Sequence, residues 1–192
     1  MRGRASHVTD LGNGTVLRMG GDPGREAQIM EHARAHGYPV PVVRELREGG
    51  MVLDRIDGPT MAAHLRRHPW QLRQLIGLLA DLHHRLHAIS YGDGSLVHFD
   101  LHPDNVMLAG GGPMVIDWTN AHGGDPDADV ALTWLILETS AGLPGRLAAR
   151  VFRSRVGSDT VLRGLAAATL FRLADPNVTL AEKDRVRRIR NA

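Results

Sequence analysis

The sequence predicts an α+β fold with two lobes, a small antiparallel sheet followed by a mainly helical region. Short apolar segments joined by turn sequences fill most of the first 57 residues, with one helix among them. Apolar residues at helical spacing dominate the rest of the chain. The break in composition at Asp57-Gly58-Pro59 indicates a hinge. We therefore expect an N-terminal lobe over residues 1–57 and a C-terminal helical lobe over residues 58–192.

Size and composition exclude several classes of protein. The chain has 192 residues, 43% of them hydrophobic, which is enough to bury a sizeable core. It contains no uninterrupted apolar run of about 18 residues, so we expect no membrane span. The N-terminus lacks the apolar segment of a signal peptide, and the absence of cysteine excludes disulfides, which together fit a cytoplasmic protein. A net charge of +2 is too small to indicate nucleic-acid binding.

Turn and cap signals define the N-terminal elements. Asn13-Gly14 is typical of a two-residue hairpin turn. Asp22 followed by Pro23 predicts a helix start, and Gly37 predicts its end. The predicted elements are strands Val8–Leu11, Thr15–Met19, Tyr38–Arg44 and Met51–Ile56, with a helix over Pro23–His36.

Apolar periodicity defines the C-terminal helices. Leucine and isoleucine recur at helical spacing from Leu72 to Ile89, so one face of that helix is expected to meet a core. Asp129 is predicted to cap a buried apolar helix that it begins. The predicted helices are Thr60–His68, Trp70–Ile89, Asp129–Ser140, Leu143–Val156, Val161–Ala174 and Leu180–Ile189.

Three histidines on one helix raise the question of a metal site. His83 and His87 are four residues apart, on one helix face, but a zinc helix of the H-E-x-x-H type needs glutamate where His84 stands. We favour structural histidines over metal ligands at these positions.

A second hairpin is expected to bring three polar side chains together. Strands Val106–Leu108 and Met114–Ile116 flank a glycine-rich turn, so Asp100, Asn105 and Asp117 should meet at one end of the hairpin. Oxygen-bearing side chains on rigid elements suit a hard divalent cation and a base that assists a nucleophile. The region from 86 to 145 contains eight acidic residues and no lysine or arginine, a charge balance that metal ions would relieve.

The motifs at this hairpin resemble those of a known family. His98-Phe99-Asp100-Leu101-His102-Pro103-Asp104-Asn105, then Val115-Ile116-Asp117-Trp118, then Gly124-Asp125-Pro126-Asp127-Ala128-Asp129 follow in order. This series is similar to the catalytic core of the aminoglycoside phosphotransferase and choline kinase-like family, over roughly the first 140 positions. The resemblance implies a protein-kinase-like fold and ATP- and Mg²⁺-dependent phosphoryl transfer.

The resemblance also implies roles for single residues of the C-terminal lobe. Asp100 would be the catalytic base toward a substrate hydroxyl, and Asn105 and Asp117 would hold Mg²⁺. Asp129 would tie down the backbone of the catalytic loop, and His98 would support that loop. The alternatives for Asp100 and Asn105 are turn-stabilising side chains.

In the N-terminal lobe the resemblance implies a nucleotide site. Gly3 and Ser6 fall where a kinase glycine-rich loop has its second and third glycines, although a frayed terminus is the alternative. Arg18 falls where the family has its phosphate-binding lysine, with an exposed strand arginine as the alternative, and Glu26 would pair with it. Adenine would bind the main chain of Asp54 and Ile56.

The acceptor is expected to be a small molecule with a hydroxyl group, which the sequence does not identify. Residues 141–192 hold four acidic residues against ten arginines and one lysine, which disfavours a polycation unless those arginines only form solvated faces. The alternative function is a catalytically inactive, nucleotide-binding pseudokinase with a regulatory role, and a third is a remnant without a ligand. An N-terminus that begins inside the glycine-rich loop would leave a sheet edge for a second copy to cover, so a homodimer is possible.

Overall fold

The N-terminal part of the chain forms a four-stranded antiparallel sheet with one helix. A computed structural model describes residues 7–140 and 142–190. Its first strands are β1 (His7–Asp10), β2 (Thr15–Met19), β3 (Val43–Arg47) and β4 (Gly50–Asp54), in the spatial order β1-β2-β4-β3. Helix α1 (Pro23–Ala35) begins at Asp22, whose side chain accepts a hydrogen bond from the N–H of Arg25 at 3.1 Å. Sheet and helix confirm the predicted mixed architecture.

The C-terminal part is mainly helical. Its helices are α2 (Met61–Arg67), α3 (Leu72–His87), α4 (Pro126–Ser140), α5 (Gly142–Val156), α6 (Ser158–Ala174) and α7 (Leu180–Arg190), with a short 3₁₀ turn over Pro69–Gln71 before α3. The strands between α3 and α4 are β5 (Ser90–Tyr91), β6 (Gly94–Val97), β7 (Val106–Ala109), β8 (Gly112–Val115) and β9 (His122–Gly124). None of the helices in residues 7–140 and 142–190 is long and apolar enough to cross a bilayer.

Several predicted elements differ from the observed ones. Residues 38–42 are not a strand, because Pro39 and Pro41 have no N–H to donate to a ladder. The first hairpin has a longer turn than Asn13-Gly14 alone, since paired strand residues end at Asp10 and Val16. The three-stranded sheet β5-β6-β9 was not predicted.

The start of α4 also differs from the prediction. The helix begins at Pro126, and the side chain of Asp125 accepts a hydrogen bond from the N–H of Asp127 at 2.9 Å. Asp129 therefore does not cap the helix. Its carboxylate instead accepts hydrogen bonds from the backbone N–H groups of His98 and Phe99.

The helical core fixes the position of α4. Ile76, Leu79, Leu82 and Leu86 of α3 are fully buried, as the periodicity predicted. Helix α6 crosses α4 at Gly164, where a Cβ would lie 1.9 Å from the carbonyl oxygen of Asp127. Only glycine permits this close approach of α6 to the N-terminal turn of α4.

Candidate active site

The segment between β6 and β7, residues 98–105, carries two of the predicted site residues and is called the catalytic loop below. The side-chain amide of Asn105 donates to the carboxylate of Asp100 at 3.1 Å and to its carbonyl oxygen at 2.9 Å. The loop ends in a 3₁₀ turn, Pro103–Asn105, which leads directly into β7. The Asp100 and Asn105 side chains are thus fixed relative to each other.

The surroundings of Asp100 favour its ionised form. Burial alone would raise its pKa, but a hydrogen bond and the charge of His102, with further positive charge from Arg172, lower the pKa below its usual range. The Nε2 atom of His102 lies 3.5 Å from the carboxylate. An ionised carboxylate can accept a proton or a hydrogen bond from a hydroxyl group.

Two residues of the site have left-handed backbone conformations. Phe99 has φ of 58° and Asp117 has φ of 61°, and they are the only such non-glycine residues in the described ranges. This conformation is uncommon for a bulky residue, so tertiary contacts must hold it. At Phe99 those contacts come from Asp129.

Asp129 binds the backbone of the catalytic loop from behind. Its Oδ1 accepts from the N–H of Phe99 at 2.8 Å and its Oδ2 from the N–H of His98 at 3.0 Å. The carboxylate is fully buried, and His87 Nε2 lies 2.9 Å from Oδ2. Burial opposes ionisation of Asp129, but the nearby His83 and the hydrogen bond with His87 bring its pKa well below the usual range.

His98 lies within the core rather than in the open site. Its ring is fully buried, its Nε2 donates to the carbonyl oxygen of Ile116 at 3.1 Å, and it packs edge-on against Trp118. Burial lowers the pKa of His98, against the raising influence of Asp129 and two other aspartates, so the ring is neutral. These contacts link the catalytic loop to the residues that follow the β7–β8 hairpin.

Arg18 connects the N-terminal sheet to the second hairpin. It lies on β2 and is 6% exposed, and it donates to the carboxylate of Asp117 at 2.9 Å and to the hydroxyl of Thr119 at 2.5 Å. Its guanidinium also pairs with Glu26 of α1, which is buried. Burial raises the pKa of Glu26, while the charge of Arg18 acts in the opposite direction.

A cavity of about 250 Å³ lies between the N-terminal sheet and the β7–β8 hairpin, and we call it the Arg18 cavity. One wall is apolar and includes Val16, Met51 and Leu53 of the sheet. The lining also contains five predicted site residues, four of them polar: Arg18, Asp54, Ile56, Asn105 and Asp117. An apolar wall opposite convergent charged and amide groups is the usual composition of a small-molecule site.

The donor atoms at the Arg18 cavity fit a magnesium ion. Within the described residues, Asn105 Oδ1 and Asp117 Oδ2 have no hydrogen-bond partner, because Asn105 uses its amide nitrogen and Asp117 uses Oδ1. Amide and carboxylate oxygens are suitable ligands for Mg²⁺, which keeps waters and phosphate oxygens in its remaining positions.

The structure thus brings most of the predicted residues together, while Gly3 and Ser6 lie outside the described residues. Sequence analysis missed Thr119, which accepts from Arg18 and donates to Asp117 at 2.7 Å. It also missed His102 beside Asp100 and the contact of His87 with Asp129. Thr119 follows the Asp117 motif by two residues, which is the one local signal that could have found it.

Comparison with known proteins supports this assignment of the fold. The family model described as "Phosphotransferase enzyme family" matches residues 85–168, which include the catalytic loop, Asp117 and Asp129. No curated protein matches the chain by sequence. The resemblance predicted from the motifs is confirmed by the family match and by the structural neighbours.

The structural neighbours are kinase-like phosphotransferases of low sequence identity. A thermostable mutant of aminoglycoside phosphotransferase APH(4)-Ia is 17% identical, with a TM-score of 0.68 over 94% of this chain and 87% of that one. A choline/ethanolamine kinase family protein from Mesorhizobium loti is 15% identical, with a TM-score of 0.66 over 99% and 86%. An aminoglycoside-3'-phosphotransferase of type VIII is 16% identical, with a TM-score of 0.60 over 95% and 92%. These likenesses establish the fold, and with the family match they support a kinase-type phosphotransferase.

Proposed function

We propose that this chain transfers the γ-phosphate of ATP to a hydroxyl group of a small molecule. The observation that carries the proposal is the Arg18 cavity, where a buried cation and two partner-free oxygen ligands converge beside Asp100. Phosphoryl transfer depends on positioning and on neutralising charge, and these residues supply both.

Each residue has a role that follows from its surroundings. Arg18 presents positive charge to the nucleotide phosphates, and Glu26 and Thr119 hold its guanidinium in place. Asn105 and Asp117 would hold Mg²⁺, which when bound neutralises phosphate charge. Asp100, ionised at neutral pH and oriented by Asn105, accepts the hydrogen of the incoming hydroxyl group.

Adenine would bind at the apolar wall of the Arg18 cavity. Asp54 and Ile56 line it at the end of β4, and the N–H of Ile56 has no backbone partner in the described part of the chain. A free N–H at the edge of an apolar cavity can donate to a ring nitrogen of a base. This is the position at which the resemblance places the adenine contacts.

The acceptor is proposed to be neutral or anionic. The C-terminal segment is rich in arginine, and one of these, Arg172, contributes to the positive field that lowers the pKa of Asp100. Phe171, its neighbour on α6, packs against Phe99 of the catalytic loop with ring centres 4.9 Å apart. The end of α6 therefore lies beside the site. Arg172 itself is paired with Glu182 and Asp175, so it is the excess of arginine in the C-terminal segment as a whole that disfavours a polycation.

The proposal is tested by screening phosphate transfer from Mg-ATP to sugars, amino alcohols, nucleosides and antibiotics. Asp100→Asn should abolish transfer to the acceptor found, while a thermal shift with Mg-ATP persists. Asp104→Asn is the matched control, because Asp104 lies in the same loop with its side chain 61% exposed, and it should retain activity. A thermal shift without transfer to any acceptor would favour the pseudokinase alternative. Unchanged turnover in Asp100→Asn would overturn the role given to Asp100.

A further inference from the structure

A second cluster of ligand-type side chains lies behind the catalytic loop, on the far side of Asp129. His83 and His87 are one turn apart on α3, and their ring nitrogens and the Asp129 carboxylate all lie within 4.8 Å of one another. His83 Nδ1 is 3.7 Å from Asp129 Oδ2, and His87 Nε2 is 2.9 Å from the same oxygen. The activity proposed above uses neither histidine.

The hydrogen bonds around His83 fix its tautomer. The hydroxyl of Thr133 donates its one hydrogen to the carbonyl oxygen of Leu101 at 2.7 Å, so it can only accept from His83 Nε2, which lies 3.0 Å away. The proton of a neutral His83 is therefore on Nε2. Its Nδ1 lone pair faces the cluster.

This lone pair is buried and has no hydrogen-bond partner among the described residues. His83 is 1% exposed, and the 3.7 Å separation from Asp129 Oδ2 is too long for a hydrogen bond. Two electron-rich atoms, an imidazole nitrogen and a carboxylate oxygen, thus face one another across a gap. Buried polar atoms are normally satisfied. Asp129 Oδ2 already accepts from the N–H of His98, so His83 Nδ1 is the atom without a partner, and a cation in the gap would satisfy it.

We propose that His83, His87 and Asp129 form a zinc site. Two imidazole nitrogens and one carboxylate oxygen are a ligand set that suits Zn²⁺, whereas Mg²⁺ prefers oxygen ligands alone. His83 donates its other ring N–H to a hydroxyl that is itself hydrogen-bonded to a backbone carbonyl, the arrangement that orients metal-binding histidines. On binding the ion through Nε2, neutral His87 keeps its single proton on Nδ1.

Solvent reaches the cluster through a neighbouring cavity. A cavity of about 430 Å³ lies between α3 and the start of α4, and both histidines line it together with His84, Asp81 and Asp127. The ion can enter by this route, and a water molecule from the cavity can fill the fourth position of a tetrahedral site.

Zinc at this site would strengthen the support of the catalytic loop. Asp129 can bind the ion through Oδ2 while Oδ1 still accepts from the N–H of Phe99, whose backbone is held in the left-handed region. An ion that cross-links α3 to α4 behind this loop stabilises the folded state by mass action. At an excess of about 100-fold over Kd the expected rise in Tm is roughly 5–10 °C.

The test is a zinc titration of chelator-treated, tag-free protein in millimolar Mg²⁺, so that the oxygen site is saturated. Binding is followed by competition with a chromophoric chelator, by metal analysis and by Tm. The test uses no nucleotide, so its outcome is independent of the proposed transfer reaction. We expect one zinc ion per chain. Co²⁺ in place of zinc should give the visible absorption of a tetrahedral N/O site.

Two variants locate the site. His83→Leu and His87→Gln should each lose the bound ion and the Tm rise, and the glutamine amide at position 87 can still donate to Asp129, which protects the fold. His84→Gln is the matched control, because His84 is exposed on the same helix and lines the same cavity, and it should bind as the native protein does. No binding, or binding that survives in both His83→Leu and His87→Gln, would overturn the proposal. So would binding that is lost on replacing the stacked pair His64 and His68 instead.

Discussion

Arg18 and Asp117, 99 positions apart in the chain, are joined by a hydrogen bond of 2.9 Å between guanidinium and carboxylate. The bond connects strand β2 of the N-terminal sheet to the residue that follows the second hairpin. Because Arg18 also pairs with buried Glu26, one cation is shared by two carboxylates. Removing Arg18 leaves Glu26 as a buried carboxylate without its counter-charge.

The first prediction concerns the stability of this network. Arg18→Met should lower the free energy of unfolding by about 3 kcal/mol, because Glu26 would then be a buried carboxylate without a counter-charge. Adding Glu26→Gln to Arg18→Met should recover part of the loss, since the second change removes the unpaired charge. Chemical denaturation of the native chain, both single variants and the double variant gives the coupling energy.

Arg18→Lys is the conservative control in that series. It keeps the positive charge but cannot hold Glu26, Asp117 and Thr119 at once with a planar fork. We expect intermediate stability and weakened but measurable Mg-ATP binding. Strictly additive effects of Arg18→Met and Glu26→Gln would show that the two side chains do not interact in solution.

The second prediction concerns Thr119 as a positioning residue. Its hydroxyl accepts from Arg18 at 2.5 Å and donates to Asp117 at 2.7 Å, so it orients both the cation proposed to bind phosphate and the carboxylate proposed to bind Mg²⁺. Thr119→Val removes both bonds at constant shape and should raise the KM for Mg-ATP roughly tenfold, the equivalent of one or two lost hydrogen bonds. Thr119→Ser keeps the hydroxyl and should restore the native KM. Equal KM values in Thr119→Val and the native protein would exclude the positioning role.

Local signals in the sequence were enough for the helices and for one strand pair of the sheet. Asp22 and Pro23 mark the start of α1 and Gly37 its end because caps act through neighbouring backbone groups. The sheet β5-β6-β9 escaped prediction because its strands are two to four residues long, and β6 pairs with a strand 25 residues further along the chain. Pairing over such a separation leaves no periodic pattern.

In the candidate site too, some residues could be predicted from the local sequence, whereas other contacts form only when distant elements meet. Motif spacing indicated Asp100, Asn105 and Asp117, because the loop and hairpin that present them are continuous in the chain. The contacts of Arg18 with Asp117, and of Asp129 with His87, join elements that meet only in the folded protein. Spacing alone carries no information about them, and the contact of Thr119 with Arg18 was missed for the same reason.

The third prediction concerns Gly58, in the segment that the sequence predicts to be a hinge. Gly58 has φ of 152°, and a Cβ there would lie 2.2 Å from the carbonyl oxygen of Leu108 on β7. Gly58→Ala should therefore lower the free energy of unfolding by about 3 kcal/mol. The added methyl group would push the backbone at residue 58 away from β7. The measurement is chemical denaturation together with Mg-ATP binding.

Gly110→Ala is the control for Gly58→Ala. Gly110 lies in the turn of the second hairpin, a Cβ there meets no atom within 4 Å, and its φ is not in the left-handed region. We expect a change of less than about 0.5 kcal/mol. If Gly58→Ala proved as mild as Gly110→Ala, the close approach between Gly58 and β7 would not exist in solution.

The fourth prediction concerns a buried hydroxyl in the core beneath the site. Tyr38 is 3% exposed and packs edge-on against Trp118, and its hydroxyl has no hydrogen-bond partner in the described ranges of the chain. Leaving a buried donor unsatisfied costs free energy, so Tyr38→Phe should stabilise the protein by about 1 kcal/mol at neutral pH. Urea denaturation measures the change, and destabilisation by a similar amount would show that the hydroxyl is satisfied, for example by a buried water.

The same residue should produce a dependence of stability on alkaline pH. Burial raises the pKa of Tyr38 well above its ordinary value, with the charge of Asp129 acting in the same direction. The folded state therefore keeps the phenol proton above pH 10, where the unfolded state loses it. The free energy of unfolding should fall as pH rises past 10, by up to about 1.4 kcal/mol per pH unit from this group. The difference in slope between the native chain and Tyr38→Phe isolates that contribution, because all other titrating groups are common to both proteins.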